Sequence, residues 1–174
     1  MAITFELISK TTVATAAHSV TISSISQTYT DLAVAISARS DYSGGPHEMQ
    51  FAINSVTSGY TNRMVYTNNG TSALSASASN AFYTWGGAVV GGASTSNTFS
   101  NCLVYLPNYS STTIQKTISS DSTAETNAAA SIIWINSGVN TTTAAITSLT
   151  FYAWQSFINF VPGTTFTLYG IKNS

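Results

Sequence analysis

The feature that most constrains this chain is an alternation of apolar and polar residues at period two. It restarts after each turn signal and never yields to a helical period over three turns. In residues 31–39 (DLAVAISAR), Leu32, Val34 and Ile36 share one face, while Ala33, Ala35 and Ser37 share the other. In residues 164–171 (TTFTLYGI), Phe166, Leu168 and Gly170 lie opposite Thr165, Thr167, Tyr169 and Ile171. Residues 99–106 are apolar on both faces, which predicts a central strand covered on both sides. The same reasoning predicts strands over residues 3–8, 19–24, 49–53, 60–65, 81–90, 113–119, 130–135 and 146–152. Ser43-Gly44-Gly45-Pro46, Asn68-Asn69-Gly70, Gly91-Gly92, Pro107-Asn108 and Pro162-Gly163 punctuate them. Residues 71–80 (TSALSASASN) read as an exposed loop of low complexity. About ten short strands with regular turns predict a single-domain, all-β antiparallel sandwich spanning residues 1–174.

Only 11 of 174 residues are charged, five basic and six acidic, which is 6 %. An average globular chain carries roughly 25 %. Ser and Thr number 27 each and supply the polar surface instead. So few basic residues leave no electrostatic footprint for nucleic acid or for an anionic membrane. No apolar run is long enough to span a bilayer. A surface without charge repulsion or charged gatekeepers on its strand edges favours association, so a homo-oligomer is expected.

Catalytic and metal-binding patterns are missing. His18 and His47 stand far apart without metal-ligand spacing, and no GxSxG, P-loop or GxGxxG occurs. The six acids are scattered rather than paired as a glycosidase needs. Neither a cofactor nor a metal nor a catalytic residue is therefore expected, and the chain reads as a non-enzyme. His47 and Glu48 read as part of a solvated loop, and residues 121–127 (DSTAETN) as an exposed turn. Cys102 reads as a small buried hydrophobe, and the lone cysteine excludes an intrachain disulfide. The opening MAITFELISK lacks the basic and apolar regions of a secretory signal, so synthesis in a cytoplasm is expected. Aromatic residues carry what binding signal there is. Trp85, Trp134, Trp154, Tyr42, Tyr60 and Tyr109 can stack on sugar rings wherever they are exposed. Trp134 (SIIWIN) reads as buried, and Trp154 as partly exposed. Tyr42, His47, Trp85 and Trp154 are the candidate ligand or partner contacts, at loops or strand ends.

Several stretches carry a family resemblance. The chain opens on F-E-L-I, continues with Q-T-Y-T-D-L and a strand ending in S-A-R-S, and closes on F-T-L-Y-G-I-K. These lie in residues 5–40, 95–111, 119–129, 144–152 and 164–172, about half the chain, while residues 42–92 depart most. In these stretches the chain resembles small virion structural proteins of tailed bacteriophages, particularly those of cyanobacteria and marine bacteria. The resemblance implies a jelly-roll-like sandwich on a virion, assembled with major capsid or tail proteins. A capsid-exterior decoration or cement subunit is the first expectation, with a trimer as the oligomer. The alternative is a tail-fibre module that contacts a host-surface glycan or receptor.

Overall fold

The computed structural model describes residues 4–68, 72–127 and 131–172. Twelve strands form among them, and no helix. They are β1 (Thr4–Thr12), β2 (Ser19–Ile22), β3 (Asp31–Ala38), β4 (His47–Ile53), β5 (Tyr60–Asn68), β6 (Ala73–Ala81), β7 (Thr84–Val89), β8 (Ser100–Leu106), β9 (Lys116–Glu125), β10 (Ser131–Asn140), β11 (Leu149–Ala153) and β12 (Thr165–Lys172). A large sheet runs β1-β12-β3-β8-β9-β10-β5-β6, and a small one β2-β11-β4-β7. Every ladder is antiparallel.

The order has a simple logic. The chain passes from β1 in the large sheet to β2 in the small one, returns at β3, and crosses again at β4. The later strands retrace the path: β12 lies beside β1, β11 beside β2, β8 beside β3 and β7 beside β4. This is a long double ribbon wrapped into two sheets, the jelly-roll arrangement. Two hairpins, β5-β6 and β9-β10, are inserted into it, and both extend the large sheet beyond β8. The core between the sheets is built from alternate residues, among them Val34, Ile36, Phe51, Val104, Phe151, Phe166 and Leu168. Phe151 stacks between Phe51 and Phe166 at 5.2 and 5.0 Å.

Several expectations change. Residues 72–80 are not a loop: Ala73–Ala81 is β6, whose alternating Ala and Ser pair with β5; residue 71 lies outside the described residues, as do 69 and 70 of the expected turn. Residues 121–127 are not a turn: Asp121–Glu125 complete β9, with Ser120, Ser122 and Ala124 inward and Asp121, Thr123 and Glu125 outward. Strand β8 is central but covered on one face, because Leu103 on its other face is 42 % exposed. The expected strand over 81–90 is broken at Phe82-Tyr83, and β10 runs on to Asn140. Residues 3 and 130, at the starts of two expected strands, lie outside the described residues. No helix among the described residues is long and apolar enough to cross a membrane.

Strand β7 shows why the inserted strands carry inward hydroxyls. It is the edge of the small sheet and would offer unpaired backbone groups. Side chains of the large sheet take them up. Cys102 Sγ donates to the Gly86 carbonyl at 2.8 Å, and Ser120 Oγ and Asn136 Nδ2 donate to that of Trp85 at 3.1 and 3.0 Å. Ala88 N–H donates to Ser122 Oγ at 2.8 Å, and Asn62 Nδ2 donates to the Tyr83 carbonyl at 3.2 Å. Gly87 makes the close approach possible. Its φ is +141°, and a Cβ there would sit 2.8 Å from Cys102 Sγ and 2.9 Å from Ser122.

Candidate functional site

The inserted strands do more than cover an edge. Beyond β7, strands β10 and β5 turn the side chains of Met64, Tyr66 and Trp134 onto a second apolar cluster with Ala88, Val90 and Trp85. A groove opens between these strands and the face of the small sheet that points away from the main core. It has two hollows, of about 440 and 290 Å³, which share Glu48. Phe82, Tyr83, Trp85, Asn62 and Gln50 line the first. Tyr42, His47, Tyr66, Trp134 and Trp154 line the second.

Three of the four candidate contacts meet in the second hollow. The rings of Tyr42 and His47 meet edge to face at 5.0 Å, and those of Tyr42 and Trp154 at 5.5 Å. His47 stacks on Trp154 at 6.0 Å with 26° between the planes. Trp85 belongs to the first hollow, and meets Trp134 edge to face at 6.1 Å. Trp85, Trp154, Tyr42 and Tyr83 are half-buried, so each presents part of its ring. Trp134 is buried, whereas Tyr60 and Tyr109 lie in the main core with no surface to offer.

The loop before β4 is held firmly. Gly91 packs so tightly that a Cβ there would lie 2.3 Å from the Gly44 carbonyl. Arg39 donates to the carbonyls of Thr95, Thr98 and Ser94 at 2.9–3.1 Å and so fixes the loop that Gly91 begins. Asp41 accepts from Asn159 N–H and Nδ2 at 2.7 and 2.8 Å, tying Tyr42's neighbour to the segment that follows Trp154.

His47 is not in a solvated loop. It is the first residue of β4 and 7 % exposed, because its ring fills the gap between Tyr42, Trp154 and Ser40. Its Nδ1–H donates to the Glu48 carbonyl at 2.9 Å, which leaves Nε2 to accept from the Ser40 hydroxyl at 2.6 Å. Burial lowers its pKa below the ordinary 6.5. A serine donating to a histidine resembles a nucleophile with its base, but Ser40 is 1 % exposed and offers no surface for a substrate. The contact orients the ring instead.

Sequence reasoning passed over Glu48, Gln50, Asn62, Tyr66 and Tyr83 as site residues. Glu48 lies at the junction of the two hollows, with Gln50 Nε2 donating to its Oε1 at 2.7 Å. Burial raises its pKa above 4.5. Its pairing with Gln50 at i+2 on one strand face was a readable signal. Among the described residues, no group of three or more His, Cys, Asp or Glu could hold a metal ion. Burial also pushes the Cys102 thiol upward, so this sulfur behaves as a donor within the core. Set beside protein-family models, curated proteins and solved structures, the chain matches none.

Proposed function

We propose that the chain is a saccharide-binding jelly-roll module of a virus particle, holding a sugar chain in the groove between the small sheet and the inserted strands. The carrying observation is the lining: half-buried aromatic rings at both ends, with the Glu48 carboxyl and the Gln50 amide between them. Sugars present apolar ring faces and hydroxyl edges, and this lining offers a partner to each. No Lys or Arg lines either hollow, so neutral sugars fit better than sulfated or uronic ones. The resemblance to tailed-phage virion proteins supports placing the module on a particle, where it would meet a host-surface glycan.

The test is a glycan array followed by titration of tryptophan fluorescence with the best ligand. Binding to neutral glycans is expected, with Trp85→Ala and Trp154→Ala each weakening it about tenfold, near 1.4 kcal/mol. Binding that survives both substitutions would move the site elsewhere, and no binding to any glycan would end the proposal.

A second reading, a capsid-exterior decoration subunit acting through protein contacts, has its own observation. The large sheet's uncovered face exposes Val65, Leu103, Ile133 and Ile135, each between 42 and 62 %. A shallow trough of about 780 Å³ crosses this face over β5, β6 and β10. Immunogold labelling of intact particles separates the readings: label over the head favours decoration, and label confined to the tail favours glycan recognition.

A further inference from the structure

Sheet edges are where an antiparallel sandwich meets other chains, and the two sheets here have four. Three are blocked. Strand β7 is covered by side chains of the large sheet. Strand β2 is four residues long. Strand β1 carries Glu6 and Lys10 and a bulge between Leu7 and Ser9, and a Glu6–Lys172 ion pair at 3.0 Å straddles its ladder with β12. The fourth edge, β6, has nine residues, ALSASASNA, with no charge and no proline. Its stretch 73–78 pairs regularly with β5 before the register shifts, and it is largely exposed.

We propose that β6 pairs antiparallel with β6 of a second copy, about a two-fold axis perpendicular to the sheet and passing midway between the two Ala76 residues. The residue pattern fits this partner. With Ala76 opposite itself, Ser75 faces Ser77 and Leu74 faces Ala78, so each side chain meets one on the same face of the joined sheet. All but Leu74 are small, none is charged, and Ser75 and Ser77 can exchange hydroxyl hydrogen bonds across the junction. Because a copy has one open edge among the described residues, pairing closes at two copies, where two open edges would propagate a filament. The assembly is therefore a pair rather than the trimer that the resemblance led us to expect. A perpendicular two-fold leaves both grooves opening on the same side of the joined sheet, so the pair can grip one surface at two points.

Sedimentation velocity on the intact chain tests this, with Ser75→Lys/Ser77→Lys placing like charges opposite each other at two positions. The expected result is a species of twice the 18.3 kDa chain mass. The double variant should sediment as one chain while keeping the parent's circular dichroism and melting temperature. Ala76→Cys gives a positive readout. Antiparallel partners lie about 4.5 or 5.5 Å apart at Cα, inside the range of about 4.4–6.8 Å that a disulfide spans. The variant should cross-link to a two-chain band under mild oxidation, while buried Cys102 leaves the parent uncross-linked. A parent that stays single-chain to about 100 μM overturns the proposal. So does a trimer, or a pair that survives the lysines while Ala76→Cys fails to cross-link.

Discussion

In the neutral His47 ring Nδ1–H donates to the Glu48 carbonyl and Nε2 accepts from Ser40; protonation would place a charge in this buried gap and require the Ser40 hydroxyl, which already accepts from Tyr42 N–H, to turn round and accept a second bond. As pH falls below 6.5 the unfolded chain takes up a proton at this residue before the folded one does. Its contribution is complete above 6.5 and drains away as pH falls toward the lowered folded value. Glu48 has the opposite sign. Folded Glu48 keeps its proton above 4.5, where the unfolded chain has lost it, so its contribution is complete below 4.5 and fades as pH rises through the raised folded value. Melting curves between about pH 5 and about pH 7 should therefore separate them. His47→Gln should flatten the loss of stability on the acid side, and Glu48→Gln should steepen it by removing the opposing contribution. Identical slopes in parent and His47→Gln would show that the ring takes no part. Tyr42, His47 and Trp154 could be picked out in the sequence because an aromatic residue or histidine at a loop or strand end has few purely structural uses. Their mutual contact could not, because residues 42 and 154 come together only through the pairing of β11 with β4.

At the scale of the strand, β7 depends on side chains that a pattern search discounts. Ser122→Ala leaves the buried Ala88 N–H without its partner and should cost about 1–3 kcal/mol in urea unfolding. Ser120→Ala should cost less, since the Trp85 carbonyl keeps the Asn136 donor. Gly87→Ala should cost about 2 kcal/mol or more, since it forces both a rare φ and a clash with Cys102 and Ser122. A Ser122→Ala variant as stable as the parent would remove the capping account. These positions explain why the second half of β9 read as a turn while residues 116–119 read as a strand. The inward residues of β9 are Lys116, Ile118, Ser120, Ser122 and Ala124, so three of the five carry polar side chains, and the alternation shows only when Ser and Lys are allowed to face inward. Strand β6 escaped detection for a related reason. Ala and Ser alternate there with too little contrast in hydropathy to mark a strand.

For the whole molecule, period two and the turn residues were enough to give two antiparallel sheets. The strand order was not written locally, because β1 pairs with β12 across nearly the full chain. The inserted hairpins, which make the groove, left no mark beyond three of their four strands, β5, β9 and β10. Such remote pairing should make refolding slow for the chain's size, on a scale of about milliseconds to seconds by stopped-flow fluorescence. A fold with 11 charges in 174 residues should also be nearly blind to salt. Its melting temperature should stay within about 2 °C from about 0.02 to about 0.5 M sodium chloride, since screening acts on charges that are scarcely present. A larger shift would reveal charge interactions outside those described.

The ladder between β1 and β12 sets Thr4 opposite Lys172. Its rungs run perpendicular to the strands. A force pulling those two residues apart therefore loads one rung at a time, and the ladder opens like a zipper. A load entering at the groove and leaving through Thr4 crosses the sheet from β10 to β1 and meets the same ladder last, since β1 is held only by β12 on its sheet edge. In mechanical terms the Thr4–Lys172 end of that ladder is the module's first point to yield, whether the load is carried between those two residues or across the sheet.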